Sequence, residues 1–398
     1  RNEELKKYKL LYITDRTQLD SQLTNTFQNT QDETVLQADS AKDLRELISK
    51  DSSDLITSTI QKFQEIRGEN LKVLNESENI VVLIDEAHRT QYGTFGMVLN
   101  TVLPNAVKIA FTGTPLLKSE LTTGEFGDYI DKYTIEQSVE DGATLQILYE
   151  GREVKTKVEG ESLDNLFEEY FSDKTKEEKN EIKRKYGIEK AVLEAPKRIR
   201  WVCLDIIKHY REKIQPNGFK AMIVTSSRHA AVMYKSMLDE LNAPSSNVII
   251  SGDHNDPEEL RKYTDSTEHK KIIKDFKEND LSESKCHIII VKDMLLTGFD
   301  VPICQVMYLD RKIMDHSLLQ AIARVNRPKE GKQRGFVVDY YGLAGYLTSA
   351  LDQFTQSDVK GVLKELKDEI PKLDRAYNKV LEFFKDRDLE DLEECILV

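Results

Sequence analysis

Five consecutive apolar residues, Ile80–Ile84 (IVVLI), run straight into Asp85-Glu86-Ala87-His88. A strand with no polar alternation is buried on both faces, as in a parallel sheet covered by helices on each side. Two adjacent carboxylates at the C-terminal end of such a strand stand where parallel sheets bind ligands. The chain is thereby constrained toward α/β architecture and toward chemistry at strand ends.

The surrounding pattern agrees. Lys9–Thr14, Thr34–Gln37, Leu55–Thr59 and Ala106–Thr112 read as further strands, with helices near Gln18–Gln28, Ala41–Ser49 and Ile60–Leu74. Strands of this length alternating with helices predict a mainly parallel sheet over residues 1–150. From Gly151 to Pro196 the character changes, and Asp173–Lys185 is dense in Lys and Glu. Residues 151–195 are therefore expected to form a charged helical connector with a solvated face. A second α/β rhythm occupies 196–342, with strands at Ala221–Thr225, Val248–Ser251, His287–Val291, Gln305–Leu309 and Gly335–Asp339. Its helices are expected at Ile199–Tyr210, with Trp201 in the core, at Ala230–Leu241 and at His316–Asn326. Residues 343–398 are rich in Leu, Lys, Asp and Glu and are expected to be helical.

Composition narrows the function classes. Hydrophobic residues make up 39% and charged residues 32%, enough for ordered cores. Four Cys in 398 residues, none in C-x-x-C spacing, exclude a disulfide scaffold, argue against a zinc site and suggest a reducing, cytoplasmic setting. The longest apolar runs fall far short of the roughly 18 residues of a membrane span. With a net charge of −13, nucleic acid would be held only in a local basic groove.

Asp85 is suited to hold Mg²⁺, which takes few protein ligands, and Glu86 to orient or deprotonate an attacking water. A solvated strand-end turn is the alternative. Thr112-Gly113-Thr114-Pro115 also follows an apolar strand, and its hydroxyls are suited to bond the carboxylates on the neighbouring strand. Arg324 and Arg327, in Gln320-Ala321-Ile322-Ala323-Arg324-Val325-Asn326-Arg327, share a face if they lie on a helix. Guanidinium groups suit the charge of a transferring γ-phosphoryl; a surface salt-bridge pair is the alternative. In Thr297-Gly298-Phe299-Asp300, Gly298 permits close backbone approach, and Asp300 is suited to bond an ATP ribose or an arginine. The remaining His residues have no metal spacing.

Taken together, DEAH, TGTP, TGFD and Q-x-x-x-R-x-x-R over two α/β blocks resemble a superfamily 2 helicase-type motor. Tyr12–Gln22 resembles motif Ia, Ile56–Phe63 a neighbouring DNA-side motif, Asp85–His88 motif II and Thr112–Pro115 motif III. Ala221–Arg228 resembles motif IV, Val291–Pro302 motif V and Gln320–Arg327 motif VI. The longer strings DEAHRTQYG, TGTPL, LLTGFDVP and LLQAIARVNRP look like the R (HsdR) subunit of type I restriction enzymes, as does YTIEQSVEDGATLQILYEG (133–151). The resemblance runs from about Leu10 to Asp339.

It implies two RecA-like P-loop NTPase (helicase-type) domains with parallel sheets, followed by the helical C-terminal segment. It also implies an ATP-driven double-stranded DNA translocase working with methylation (M) and specificity (S) subunits and cutting away from the recognition site. ATP and Mg²⁺ would serve the motor, and S-adenosylmethionine the assembly through M. The implied catalytic set is Asp85 (metal), Glu86, His88, Arg324 and Arg327. The nucleotide-side set is Thr112, Thr114, Gly298, Asp300 and Gln320. The DNA-side set is Arg16, Thr59, Ser227, Arg228 and Thr297. The chain departs from the family in one respect: it contains no G-x-x-x-x-G-K-[ST]. The phosphate loop is expected before Lys9, cut off together with an upstream nuclease domain, so the 398-residue piece alone is expected to be inactive. Glu365-Leu366-Lys367 has nuclease-like spacing but reads as helical surface. Another superfamily 2 enzyme (type III restriction or repair) and a non-catalytic DNA-binding module with the motor fold are the alternatives.

Overall fold

The computed structural model describes residues 5–14, 35–66, 71–85, 92–112, 130–152, 162–296, 298–313, 315–343 and 363–365. The chain divides into two compact units, Arg1–Lys132 and Tyr133–Val398.

The first unit contains β1 (Lys9–Thr14), β2 (Val35–Gln37), α1 (Ala41–Ser49), β3 (Leu55–Thr59), α2 (Ile60–Ile66), β4 (Ile80–Ile84), α3 (Tyr92–Val102) and β5 (Val107–Ala110). The strands form one sheet in the order β2-β3-β1-β4-β5, parallel throughout. Leu11 and Ile13 of β1 and Val82 and Ile84 of β4 point into a core closed by Phe63 and Phe95, whose rings meet edge to face at 5.5 Å. Lys9 is buried, and its ammonium donates to Leu47 O (2.7 Å), Ile48 O (2.9 Å) and Lys50 O (2.6 Å), closing the C-terminal end of α1. The helix expected to reach Leu74 ends at Ile66 before an undescribed stretch, and 71–79 is irregular. There Leu74 N bonds Val102 O, and Asn75 binds Ile48 O and Ser77 N, so the backbone is satisfied without a helix.

The second unit begins with α4 (Ile135–Glu140), β6 (Ile147–Gly151), α5 (Ser162–Tyr170), α6 (Lys176–Tyr186) and α7 (Ile188–Leu193). It continues with α8 (Pro196–His209), β7 (Lys220–Thr225), α9 (Arg228–Glu240), β8 (Ser246–Ile249), α10 (Glu258–Arg261) and α11 (Ser266–Phe276). Then come β9 (Ile288–Val291), β10 (Cys304–Asp310), α12 (Asp315–Ile322), β11 (Gly335–Asp339) and β12 (Leu363–Glu365). The sheet order is β12-β6-β11-β10-β7-β9-β8, again parallel. β7, β9 and β10 are buried at every position, as strands covered on both faces must be. Beneath β10, Arg198 grips Asp310 through two bonds of 2.8 and 2.6 Å, and Tyr234 Oη donates to the same carboxylate at 2.6 Å.

Four expectations are corrected. The domain boundary lies at 132/133 rather than 150, because Ile147–Gly151 pairs with Gly335–Asp339 in the second sheet. The 151–195 stretch is helical and α6 is solvated. However, Phe167, Tyr170, Val192 and Leu193 enter the second core, so it is more than a connector. In the tail expected to be helical, Leu363–Glu365 is a strand on the β6 edge, and Glu365 therefore lies in a strand; the rest of 344–398 lies outside the described residues. Trp201 is 63% exposed: α8 buries Ile199, Val202, Cys203 and Ile206, a stripe that position 201 misses.

Among the described residues, no helix is long and apolar enough to cross a membrane. Cys203, Cys286 and Cys304 are buried thiols.

Candidate functional site: strand ends and an arginine loop

In the first unit the strand register brings chemistry to one edge. Thr14 pairs with Thr59, and Ile13 with Ile84, so β1, β3 and β4 end level. Asp85 N donates to Ile13 O (3.0 Å) and Phe111 N to Ile84 O (2.8 Å). The Asp85 side chain therefore begins where the sheet stops, partly buried, with Thr112 one residue beyond Phe111. Burial and then the Asp85 charge raise the Tyr12 phenol above its ordinary range. Thr59 is 1% exposed, so the open hydroxyl expected of a DNA-backbone contact is not presented there. Glu86, His88, Thr114, Arg16 and Thr297 lie outside the described residues.

In the second unit the loop between β9 and β10 holds two left-handed residues, Leu295 (φ 67°) and Gly298 (φ 69°). Such a φ is costly for leucine and ordinary for glycine. Against this loop lie the two arginines. Arg324 Nη1 donates to Phe299 O at 2.9 Å, and its Nε to Gln320 O at 3.1 Å. Arg327 Nε stands 3.6 Å from Asp300 Oδ1. The helix expected over His316–Asn326 ends at Ile322, and neither arginine lies on it. Ala323 N keeps the helical bond to Leu319 O, and two tighter bonds, Arg324 N to Ala321 O and Val325 N to Ile322 O, then close the last turn and end the helix. The chain then dives: Val325 and Asn326 are buried, and Asn326 O accepts from Leu145 N at 2.7 Å.

Sequence reading missed the group that fixes this exit. Lys332 is buried, and its ammonium donates to Arg327 O (3.0 Å), Pro302 O (2.9 Å) and Cys304 O (2.8 Å). Burial pushes the amine down to about 8. Nothing in a Gly-Lys pair outside a phosphate-loop context announces this role. Gly335 is equally constrained, since a Cβ there would stand 2.4 Å from Val325 O.

The expected DNA-side residues that follow β7 are engaged internally. Ser227 caps α9 by accepting from Ala230 N (2.9 Å) and donates to Glu194 Oε1 (2.6 Å). Arg228 Nη1 binds Asp256 Oδ2 (2.5 Å) and Ser251 O (2.8 Å).

Two parallel α/β sheets, one ending in Asp85 and the other followed by paired arginines on a loop, are the architecture of helicase-type RecA-like domains. Residues 1–180 match the SWI2/SNF2 ATPase family, and residues 251–342 match domain 3 of the type I restriction enzyme subunit R. The chain is 37% identical, over 98% of its length, to a putative type I restriction enzyme MjaIXP endonuclease subunit of Methanocaldococcus jannaschii, of which it covers 38%. It is 34% identical, over 91% of its length, to the HindI endonuclease subunit of Haemophilus influenzae, covering 36% of that protein. A fragment of a putative HsdR subunit from Vibrio vulnificus superimposes with a TM-score of 0.55 at 16% identity, over 90% of this chain and 57% of that one. The DNA-bound type ISP enzyme LlaBIII does so with 0.56 at 15%, over 89% and 26%. The chain belongs to the family of type I restriction enzyme R subunits. It spans just over a third of the length of these two curated relatives.

Proposed function

We propose that the chain is the motor portion of a type I restriction R subunit. It would draw double-stranded DNA past a cytoplasmic complex with M and S subunits at the expense of ATP, leading to cleavage away from the recognition site. The observation that carries this reading is the 37% identity to a restriction endonuclease subunit across 98% of the chain. The strand-end chemistry supports it.

Among the described residues no cluster of three or more His, Cys, Asp or Glu could hold a metal. Mg²⁺ is commonly bound through one or two carboxylates together with nucleotide phosphates rather than by an all-protein cage. Asp85 is suited to hold it, and the ion, when bound, neutralises phosphate charge. Glu86 orients the attacking water and accepts its proton, and His88 couples nucleotide state to the Thr112–Thr114 turn. Arg324 and Arg327 stabilise charge on the γ-phosphoryl, with Gln320, Gly298 and Asp300 shaping the nucleotide side of their loop. Thr297 and the motif Ia residue Arg16 face the DNA backbone. S-adenosylmethionine belongs to the assembly through M.

The test is Glu86→Gln in the complete subunit. ATP binding is retained while turnover and translocation, followed by triplex displacement, are lost. Near wild-type turnover removes Glu86 from the mechanism. Failure of the subunit to co-purify with M and S removes the restriction reading.

A further inference from the structure

The guanidinium of Arg327 is poorly held by its own bonds. Its Nε is buried and has no hydrogen-bond partner among the described residues, with Asp300 Oδ1 standing off at 3.6 Å. Arg324, by contrast, is tied to Phe299 O and Gln320 O. Where Arg327 points is therefore set by its backbone, and that backbone lies past the end of α12 at Ile322. One buried ammonium fixes it there. Lys332 Nζ donates to Arg327 O at 3.0 Å, and its other two hydrogens go to Pro302 O and Cys304 O, where the loop after β9 enters β10. A tight turn aims the lysine inward. Lys332 N bonds Lys329 O at 2.9 Å, closing a turn whose third residue, Gly331, has φ 77°, a conformation that favours glycine. Lys329 Nζ reaches Asn279 Oδ1 at 2.5 Å, pinning the near side of the turn to the segment after α11.

We propose that Lys332 is a positioning residue for ATP turnover: it holds the Arg327 backbone so that the guanidinium is presented to the γ-phosphoryl. The assignment deepens the proposed motor reading and rests on it. Lys332 itself touches no nucleotide, because it is buried and its three donors are all engaged within the unit. A reacting group displaced by about 1 Å loses about 10²-fold in rate, so one lost bond at the Arg327 carbonyl is felt at the γ-phosphoryl without unfolding anything. The hold also depends on protonation. Burial brings the amine down to about 8, and a neutral amine has two hydrogens for three carbonyls. The groups facing it are the Cys304 thiol on β10, the Asp300 carboxylate in the loop after β9 and the Lys329 ammonium on its own turn. Burial pushes Cys304 up to about 12, so it stays a neutral thiol through this range. Stability moves the other way. With a folded value of about 8 and an unfolded value of 10.5, the unfolded chain binds more protons between the two, so this group adds stability as pH rises. Turnover that falls while stability does not is what separates a positioning lysine from a merely structural one.

The experiment measures DNA-stimulated ATP turnover by the complete subunit, with thermal melting in parallel. Lys332→Met is expected to lower kcat about 10²-fold and to leave KM for ATP within about twofold. In an Arg327→Ala background the same substitution is expected to cost nothing further, because a residue acting through Arg327 then has nothing to position. Losses that multiply overturn the proposal, as does a Lys332→Met kcat near that of wild type. The wild-type subunit supplies an arm that stands even where Lys332→Met fails to fold. Its kcat is expected to fall with a midpoint near 8 while the melting temperature holds. A kcat that stays flat to a pH of about 9.5 overturns the proposal, and so does an alkaline fall that persists in Lys332→Met. The two readings fail differently. An inactive Arg327→Ala beside a fully active Lys332→Met removes Lys332 and leaves the motor reading standing. An Arg327→Ala subunit with wild-type turnover removes the nucleotide role of Arg327 on which the assignment rests.

Discussion

Arg327 Nε lies 3.6 Å from Asp300 Oδ1, joining the loop after α12 to the loop after β9. Both side chains are substantially exposed, 42% and 63%, so the pair contributes little to folding, under about 1 kcal/mol. Its value is positional. Arg327→Ala is expected to leave the denaturation midpoint within a degree or two. ATP turnover in the complete subunit is expected to fall on the order of 10³-fold, as for loss of a transition-state arginine. Parallel melting and ATPase measurements check this, and a large loss of stability with turnover intact contradicts it.

Gly335→Ala is expected to be disruptive out of proportion to one methyl group. The added carbon meets backbone, Val325 O at 2.4 Å, and backbone cannot rotate aside. A cost of about 1–3 kcal/mol or more is expected from denaturant unfolding. Hydrogen exchange should show loosened amides over 323–327, because β11 and the arginine loop touch at that point.

Removing Arg198 strands Asp310 beneath the sheet without its bidentate partner. Arg198→Met is expected to cost about 3–5 kcal/mol. Arg198→Met with Asp310→Leu should recover much of that loss. A double variant no better than the single one shows that the pair is not what Arg198 contributes.

His209 Nδ1 is 2.8 Å from Tyr308 Oη, and burial pushes the imidazole down to about 4. Its unfolded value is near 6.5, so between about 4 and 6.5 the unfolded chain binds more protons and stability rises with pH, by at most about 1.4 kcal/mol per pH unit from this group. The contribution is complete above pH 6.5 and lost as pH falls through 4. Unfolding curves across that window should flatten in His209→Phe; an unchanged profile contradicts the assignment.

Much of the fold was legible because parallel strands announce themselves. Ile80–Ile84 and Ile288–Val291 are unbroken apolar runs and both are strands; Ile288–Val291 is buried throughout, whereas Ile80–Ile84 is buried at alternate positions with Val81 and Leu83 half-buried, so the expected burial on both faces is only partly met there. The arginine loop was not legible, because helix periodicity continues through Ala323 and Arg324 while the chain is pulled out of the helix by a distant carbonyl contact, Leu145 N to Asn326 O. The boundary at 150 misled for the same reason: Ile147–Gly151 is apolar in either domain, and only its pairing with Gly335–Asp339 decides where it belongs. Asp85 was found by its place after a strand.

Lys332 has a mechanical consequence. One ammonium binds carbonyls at Pro302, Cys304 and Arg327, so the loop nearest the β-strand ends and the loop carrying both guanidinium groups share a single rivet. Sliding either past the other strips a buried charge of an acceptor, at roughly 1–3 kcal/mol per lost bond. A displacement of one loop is thereby carried to the other.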